Sequence, residues 1–142
     1  MTVNKDKNVL EWAMGNPYLT DVPLLNRLNG RQGACAVIPM EGAAIKRYIN
    51  GDVVRRYDFM LQVTFQLSEV TDSVNADGLF TLGQWMEWIE EQEREKNYPD
   101  FGDGCDVLEV KNLSGGPVMS QVFEDGKAKY QFPAAVVYLE KR

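Results

Sequence analysis

The chain has 142 residues and a mass of 16.1 kDa, with 44% hydrophobic, 25% charged and 11% aromatic residues. A chain of this size most often forms one domain, and its composition excludes disordered, collagen-like and disulfide-dense proteins. The 15 basic and 21 acidic side chains give a formal net charge of -6, which disfavours binding to phosphate backbones. We therefore expect a single domain over residues 1–142, with no direct, sequence-specific nucleic-acid partner.

The hydropathy pattern and the N-terminus do not indicate a membrane or secreted protein. Every apolar run is far shorter than the roughly 20 residues of a membrane-spanning helix, and the polar residues 2–6 do not resemble a signal peptide. We expect a cytosolic protein with no membrane partner. In that reducing compartment Cys35 and Cys105 are expected to be free thiols, and a structural disulfide is the alternative.

The first elements are predicted from short apolar patterns. Residues 5–14 have apolar side chains at helical spacing and are followed by a Gly-Asn-Pro stop signal, which predicts a short helix. Residues 22–28 carry leucines at helical spacing after Pro23, which suits a first helical position, and they predict one or two further helical turns. Residues 35–38 form a short apolar run between a glycine and a proline, which is typical of a buried or edge strand.

The clearest local signal is the pair Asn50-Gly51, which lies between residues 43–49 and 53–67. An Asn-Gly pair favours a tight type I′ hairpin, because both residues tolerate positive φ. In the second arm, every second residue from Tyr57 to Leu67 is apolar, and the residues between them are polar except for Met60. This alternation predicts a long, half-buried strand with one face in water.

The second half of the chain predicts a long helix followed by strands. After the polar, turn-rich residues 69–77, residues 79–96 return to helical spacing, and a proline and a glycine then end the helix. Three strands follow, over residues 107–113, 118–123 and 127–139, and Asp125-Gly126 is a hairpin signature between the last two. The predicted fold class is α+β, with a mixed, mostly antiparallel sheet of about four to six strands and two main helices packed on it.

The residue types present offer no familiar catalytic site. The chain has no histidine, which removes imidazole as a general base, as a triad member and as a metal ligand. It has no P-loop pattern and no dinucleotide-binding glycine pattern after a strand. We therefore predict that the protein is not an enzyme, has no catalytic residues and needs no cofactor.

Three aspartates beyond the long helix raise the question of a metal site. Asp100, Asp103 and Asp106 could surround a hard cation such as calcium, but their spacing departs from that of the EF-hand loop. A solvated turn is the favoured interpretation, and cation binding is the alternative. In the helix itself, Trp85 and Trp88 are three residues apart, which predicts one core residue and one flanking residue and does not favour a ligand-binding box.

Charged side chains supply the candidates for a subunit interface. The glutamate-rich end of the long helix, which includes Glu91 and Glu95, is either a solvated face or a contact with another subunit. Arg55 and Arg56 are expected to face a second basic pair across the hairpin, where like charges require an acidic partner.

That acidic partner is either a patch on a neighbouring subunit or a carboxylate of the same chain. The basic pair opposite is Lys46 with Arg47, and the intrachain candidates are Glu41, Asp52 and Asp58. The predicted interface residues are Arg55, Arg56, Glu91 and Glu95.

Several stretches of the sequence resemble small proteins of prophages and siphophages from Gram-positive bacteria, which are identified as minor capsid or tail terminator proteins. The stretches are residues 83–92 (GQWMEWIEEQ) with 97–102 (NYPDFG), residues 45–51 (IKRYING) with 55–59 (RRYDF), and residues 9–12 (VLEW). Together the likeness covers most of the chain.

The resemblance implies a tail-terminator-like fold and a structural role in the virion, in the tail or neck, after assembly in the host bacterial cytoplasm. A tail terminator is expected to form a ring of subunits, a hexamer, that caps the tail tube and joins it to the head connector. A head-to-tail contact that closes makes such a ring. The expected partners are further copies of the chain, the tail tube protein and the head-tail connector protein. One alternative is a head-completion or stopper protein of the connector, and another is a small-molecule or metal-binding module.

Overall fold

The computed structural model describes residues 4–26, 33–40, 42–66, 73–122 and 127–141. The elements in chain order are α1 (Lys5–Ala13), β1 (Leu24–Leu25), β2 (Cys35–Pro39), β3 (Ala43–Arg47), β4 (Val53–Gln66), α2 (Ser73–Glu95), β5 (Cys105–Asn112), β6 (Val118–Val122) and β7 (Lys127–Glu140). The predicted class is confirmed: the fold is α+β, with two helices and a mixed, mostly antiparallel sheet. Six of the described strands pair antiparallel, and the two-residue β1 pairs parallel with β2.

Two long antiparallel strands, β4 and β7, form the centre of the sheet and pair along their whole length. The second edge of β4 pairs with β3 near its start and with β2 further along, and β1 lies outside β2. The second edge of β7 pairs with β6 near its start and with β5 toward its end. At one end of the sheet the strand order is therefore β3-β4-β7-β5, and β3 and β5 form opposite edges.

Both helices pack on one face of this sheet. The predicted helical stripe of α2 is buried, and Val9 and Ala13 of α1 enter the same hydrophobic core. On the sheet, the core side chains are alternate residues of the central strands, Phe59, Leu61, Val63 and Phe65 of β4 and Tyr130, Phe132, Ala134 and Val136 of β7. Each large apolar side chain buried in this way stabilises the fold by about 1.5–3 kcal/mol.

Hydrogen bonds fix the position of α1. Asn4 caps the helix, because its side-chain oxygen accepts from the N–H of Lys7 at 3.0 Å. The hydroxyl of Tyr57, on β4, donates to the carboxylate of Asp6 in the first turn of the helix. Trp12 donates from its indole nitrogen to the backbone oxygen of Asn97 at 2.9 Å, which links α1 to the segment that follows α2.

The helical turns predicted at residues 22–28 are wrong. Leu24 and Leu25 form β1, and the N–H of Asn26 donates to the backbone oxygen of Val37 at 2.8 Å. Residues 27–28 of that prediction lie outside the described residues. A short apolar run is compatible with the periodicity of either a helix or a strand. Here backbone pairing with β2 makes it a strand.

The predicted hairpin between β3 and β4 is confirmed, but its predicted type I′ turn is wrong. The N–H of Tyr48 donates to the oxygen of Asp52, and the N–H of Gly51 donates to the oxygen of Tyr48. Only Gly51 takes positive φ in this turn, at 95°, and the side chain of Asn50 accepts from the N–H of Asp52. The turn is a three-residue loop with glycine in the left-handed position, the next most common way to close a hairpin.

This loop and a bulge between Ala44 and Lys46 change which side chains lie opposite each other. Lys46 pairs with Val54, and Ala44 pairs with Arg55. The expectation that Arg55 and Arg56 face Lys46 and Arg47 is therefore wrong. Each basic residue lies opposite an apolar one, and the like-charge repulsion across the strands is reduced.

The polar side chains that alternate with the core residues of β4 are less exposed to solvent than predicted. Asp58, Gln62 and Thr64 are buried, with exposed fractions of 6%, 9% and 0%. Gln62 donates to the side-chain oxygen of Gln131 on β7 at 2.8 Å. On this face the side chains of β4 are flanked by those of β2 and β7, and alternation along one strand does not report such neighbours.

The helix α2 begins at Ser73, within the segment that was predicted to be turn-rich. Both of its central tryptophans are buried, with exposed fractions of 0% for Trp85 and 6% for Trp88, so the predicted division into one core and one flanking residue is wrong. Trp88 is covered because the ring of Trp12, on α1, packs 4.8 Å away. The predicted strands of the last third are confirmed as β5, β6 and β7, and the Asp125-Gly126 turn lies outside the described residues.

Candidate subunit interface

The end of the β3–β4 hairpin is an exposed surface that combines apolar and basic side chains. Ile45, Tyr48 and Ile49 have exposed fractions of 54%, 44% and 109%. Lys46 and Arg47 are also exposed, and the amine of Lys46 lies 4.9 Å from the centre of the Tyr48 ring. Within the described residues, no carboxylate forms an ion pair with either cation. We call residues 45–49 the hairpin tip.

The two arginines predicted at the interface, Arg55 and Arg56, have acidic partners within the chain. Arg55 donates from Nε to Glu140 at 2.7 Å, and Arg56 donates to both carboxylate oxygens of Asp58 at 2.7 and 2.9 Å. Asp58 is one of the intrachain partners considered from the sequence. Glu140 is not, because it reaches Arg55 only through the antiparallel pairing of β4 with β7.

The two predicted acidic residues lie elsewhere. Glu91 and Glu95 are exposed on the C-terminal half of α2, together with Glu87 and Glu90, and none of them forms an ion pair with a described residue. That half of α2 runs beside β5, whereas Arg55 and Arg56 lie on the first residues of β4, next to β3. The structure therefore does not bring the predicted basic and acidic residues together within one chain. Their role in an interface stays a prediction.

A groove of about 510 Å³ separates the C-terminal half of α2 from the edge of β5. We call it the α2–β5 groove. Its lining residues are Glu90, Glu93, Arg94, Glu109, Val110, Lys111, Asn112 and Ser114. Seven of these eight residues are charged or polar, and the carbon chains of the long side chains also contribute apolar surface to the lining.

Glu93 joins the two walls of the groove. Its carboxylate accepts from the N–H of Val110 at 2.9 Å and from the amine of Lys96 at 2.9 Å, and the hydroxyl of Tyr98 lies 3.0 Å from it. Burial acts to raise the pKa of Glu93, but the combined hydrogen bonds from Lys96, Val110 and Tyr98 outweigh it and lower the pKa below its ordinary value. The carboxylate is therefore held in its charged form.

Asn112 carries an unsatisfied acceptor at the same groove. Its side-chain nitrogen donates to the backbone oxygen of Met86 at 3.0 Å, so the amide is held in one orientation. Its side-chain oxygen is buried and has no donor among the described residues. A buried acceptor without a partner costs about 1–3 kcal/mol, so this oxygen lowers the stability of the fold at the base of α2 and β5.

Two of the three aspartates considered for a cation have other partners. A side-chain oxygen of Asp100 accepts from the N–H of Gly102 at 2.8 Å, and Asp106 forms an ion pair with Lys141 at 2.8 Å. Across the described part of the chain, no three His, Cys, Asp or Glu side chains are grouped so as to hold a metal ion.

Both cysteines are free thiols, as predicted. Cys35 is buried in β2, and its thiol donates to the backbone oxygen of Asp21 at 3.1 Å. Burial raises the pKa of this thiol to about 11, which makes it a poor nucleophile near neutral pH. Neither α1 nor the described part of α2 has the length and apolar content needed to cross a membrane.

Sequence reasoning missed the α2–β5 groove, because its walls come from segments whose contact depends on the position of α2 over the sheet. The hairpin tip could have been found from the sequence. Three large apolar residues, Ile45, Tyr48 and Ile49, lie among two cations next to a predicted turn. No protein-family model matches the chain, and comparison with curated proteins finds no match.

Proposed function

We propose that this chain is a structural assembly subunit of the tail-terminator type, which forms a ring on the end of a phage tail tube and halts its growth. The observation that carries the proposal is the hairpin tip, where Ile49 is 109% exposed beside the half-exposed Ile45 and Tyr48. Large apolar side chains grouped in this way with cations favour burial against another protein. The resemblance of residues 45–51 and 55–59 to tail terminator proteins supplies the kind of assembly.

The charge of the tip favours a ring over a two-fold dimer. In a two-fold contact centred on the tip, the tip meets its own copy, which would bring Lys46 and Arg47 of one copy close to those of the other. Such like-charge contacts cost several kcal/mol. A head-to-tail contact joins the tip to a different patch, and successive head-to-tail contacts generate a ring when the rotation closes.

The partners expected of such a ring are the tail tube protein on one side and the head-tail connector protein on the other. The tip and the exposed glutamates of α2 give each subunit surfaces of opposite charge. Opposite charges of this kind steer association and fix the orientation of the partners.

Assembly of the purified chain tests the proposal. Negative-stain microscopy and light scattering after gel filtration are expected to show rings, and addition of the chain to polymerising tail tube protein is expected to shorten the tubes. Ile49→Asp is expected to abolish the rings without lowering the melting temperature, because the side chain makes no core contact. Val22→Asp is the matched control, since Val22 is 65% exposed but lies away from the tip.

A chain that stays monomeric at high concentration and leaves tube length unchanged contradicts the proposal. Binding assays separate the terminator from a head-completion or stopper protein. A terminator retains tail tube protein from the same phage, whereas a stopper retains the portal side of the connector.

A further inference from the structure

We propose that the hairpin tip of one copy docks into the α2–β5 groove of the next copy, so that identical head-to-tail contacts close the ring. This inference rests on the proposed function, and it names the two surfaces by which subunits meet. Its occupant is a second copy of the chain.

The two surfaces lie at opposite edges of the same end of the sheet. Strand register places Ala43, Arg56, Val137 and Glu109 in one row across β3, β4, β7 and β5. Neighbouring strands are about 4.8 Å apart, so the two edges are separated by about 14 Å. One patch therefore faces away from the other, as a head-to-tail contact requires.

The charges of the two surfaces are complementary. Lys46 and Arg47 on the tip have no ion-pair partner among the described residues. Glu90 lines the groove, and Glu87 and Glu91 lie on the same half of α2; all three are exposed and likewise form no ion pair with a described residue. The exposed Arg94 of the lining offsets only part of this negative charge. Contact between two such surfaces supplies partners for both sets of charges.

The edge of β5 favours side-chain docking over the addition of a strand. The N–H of Val110 is occupied by Glu93, and the backbone oxygen of Leu108 lies 3.3 Å from the hydroxyl of Tyr98. A bulge between Val107 and Glu109 also breaks the register of this edge. Occupied backbone groups and bulges prevent a new strand from pairing, whereas a hairpin loop can still insert its side chains into the groove.

The guanidinium of Arg47 has five N–H donors and no acceptor, which suits it to bind the carboxylates on the helix wall of the groove. The apolar side chains of Ile45, Tyr48 and Ile49 would lose their exposure in the same contact. Charge and apolar burial thus point to the same pairing.

Matched charge reversals test the docking. Arg47→Glu and Glu90→Arg are each expected to raise the protein concentration at which half of the chains are assembled by about tenfold or more, as measured by sedimentation velocity. The controls are Lys7→Glu and Glu11→Arg, which make the same charge changes on exposed residues of α1 and are expected to leave assembly unchanged. Thermal melting monitored by circular dichroism identifies any variant that fails to fold.

The combined variant Arg47→Glu with Glu90→Arg is expected to recover assembly, because each contact then again joins opposite charges. If the wild-type chain forms rings but both single reversals assemble normally, the docking inference is wrong while the terminator function stands. If the wild type neither assembles nor shortens tail tubes, the proposed function fails and the inference fails with it. If Arg47→Glu removes binding of tail tube protein but leaves the rings intact, the tip docks on that protein and the inference is overturned.

Discussion

The carboxylate of Glu93 accepts a hydrogen bond from the N–H of Val110 at 2.9 Å, which attaches the end of α2 to the outer edge of β5. Without this bond the N–H of Val110 would lose its partner, since Val110 itself is 2% exposed. The same carboxylate accepts from Lys96 at 2.9 Å. One side chain therefore connects the long helix, the residues that end it and the edge strand.

Replacement of Glu93 by Ala is expected to lower the free energy of unfolding by about 1.5–3 kcal/mol at neutral pH, because the lost hydrogen bonds involve a charged acceptor. The pKa of Glu93 is lowered in the fold, so its contribution is fully present above the ordinary pKa of 4.5 and is lost as the pH falls through the lower folded value. The difference between variant and wild type should shrink below about pH 4.5. Urea unfolding at pH 7 and at pH 3 measures it. Glu91→Ala, at an exposed position without an ion-pair partner among the described residues, should change stability little at either pH.

Replacement of Tyr57 by Phe isolates the bond between α1 and β4. The hydroxyl of Tyr57 donates to Asp6, and burial together with this carboxylate raises the pKa of the phenol, so it stays a donor at every pH at which the protein is handled. Phe retains the ring contacts with Phe59 and Phe101 and loses only the hydroxyl. The expected loss is about 1–2 kcal/mol of unfolding free energy, measured by urea denaturation.

Tyr18→Phe serves as the control for this substitution. Tyr18 is 43% exposed, and its hydroxyl makes no hydrogen bond to a described residue. It is expected to change stability by less than about 0.5 kcal/mol. Equal effects of the two substitutions would show that the Tyr57 hydroxyl contributes nothing specific.

The helices and long strands were predictable from the sequence because each buries one face. The periodic apolar residues of α2, among them Leu82 and Ile89, are fully buried, and Phe59 and Val63 of β4 follow the same rule with a period of two. The strand β1 was not predictable in this way. A two-residue strand has no period of its own, and its conformation is set by pairing with β2.

The charged residues of the candidate interface were less predictable, because strand register decides which ions meet. Arg55 is 85 residues from its partner Glu140, and no local pattern connects them. The loop that closes the β3–β4 hairpin is one residue longer than the Asn-Gly signature suggests, which moves Lys46 opposite Val54. Local rules identified the hairpin but not the side chains that remain available at its tip.

The two thiols are expected to differ in reactivity by a large factor. Cys35 is 1% exposed and its pKa is raised to about 11, so thiolate is scarce and access is blocked, whereas Cys105 is only partly buried. Labelling with a disulfide reagent at pH 8 should modify one thiol in the folded protein and two in urea. Cys105→Ser should remove the fast phase. Rapid labelling of the folded Cys105→Ser variant would contradict the burial of Cys35.

Addition of one methyl group at Gly42 and at Gly83 should change stability in opposite directions. A Cβ on Gly42 would overlap the backbone oxygen of Arg56, and a backbone atom cannot move aside as a flexible side chain can. The backbone at Gly42 and the backbone of β4 at Arg56 must then move apart, at a cost of about 1–3 kcal/mol.

A Cβ on Gly83 meets nothing within 4 Å, and the residue lies inside α2. Alanine is favoured over glycine by about 0.5–1 kcal/mol within a helix, because glycine loses more backbone entropy on folding. Gly83→Ala should therefore raise the midpoint of urea unfolding, while Gly42→Ala lowers it. Since both variants add the same group, a lower midpoint for both would mean that space around Gly83 is tighter than the structure shows. An unchanged midpoint for Gly42→Ala would mean that the residues entering β3 lie further from Arg56 than the structure shows.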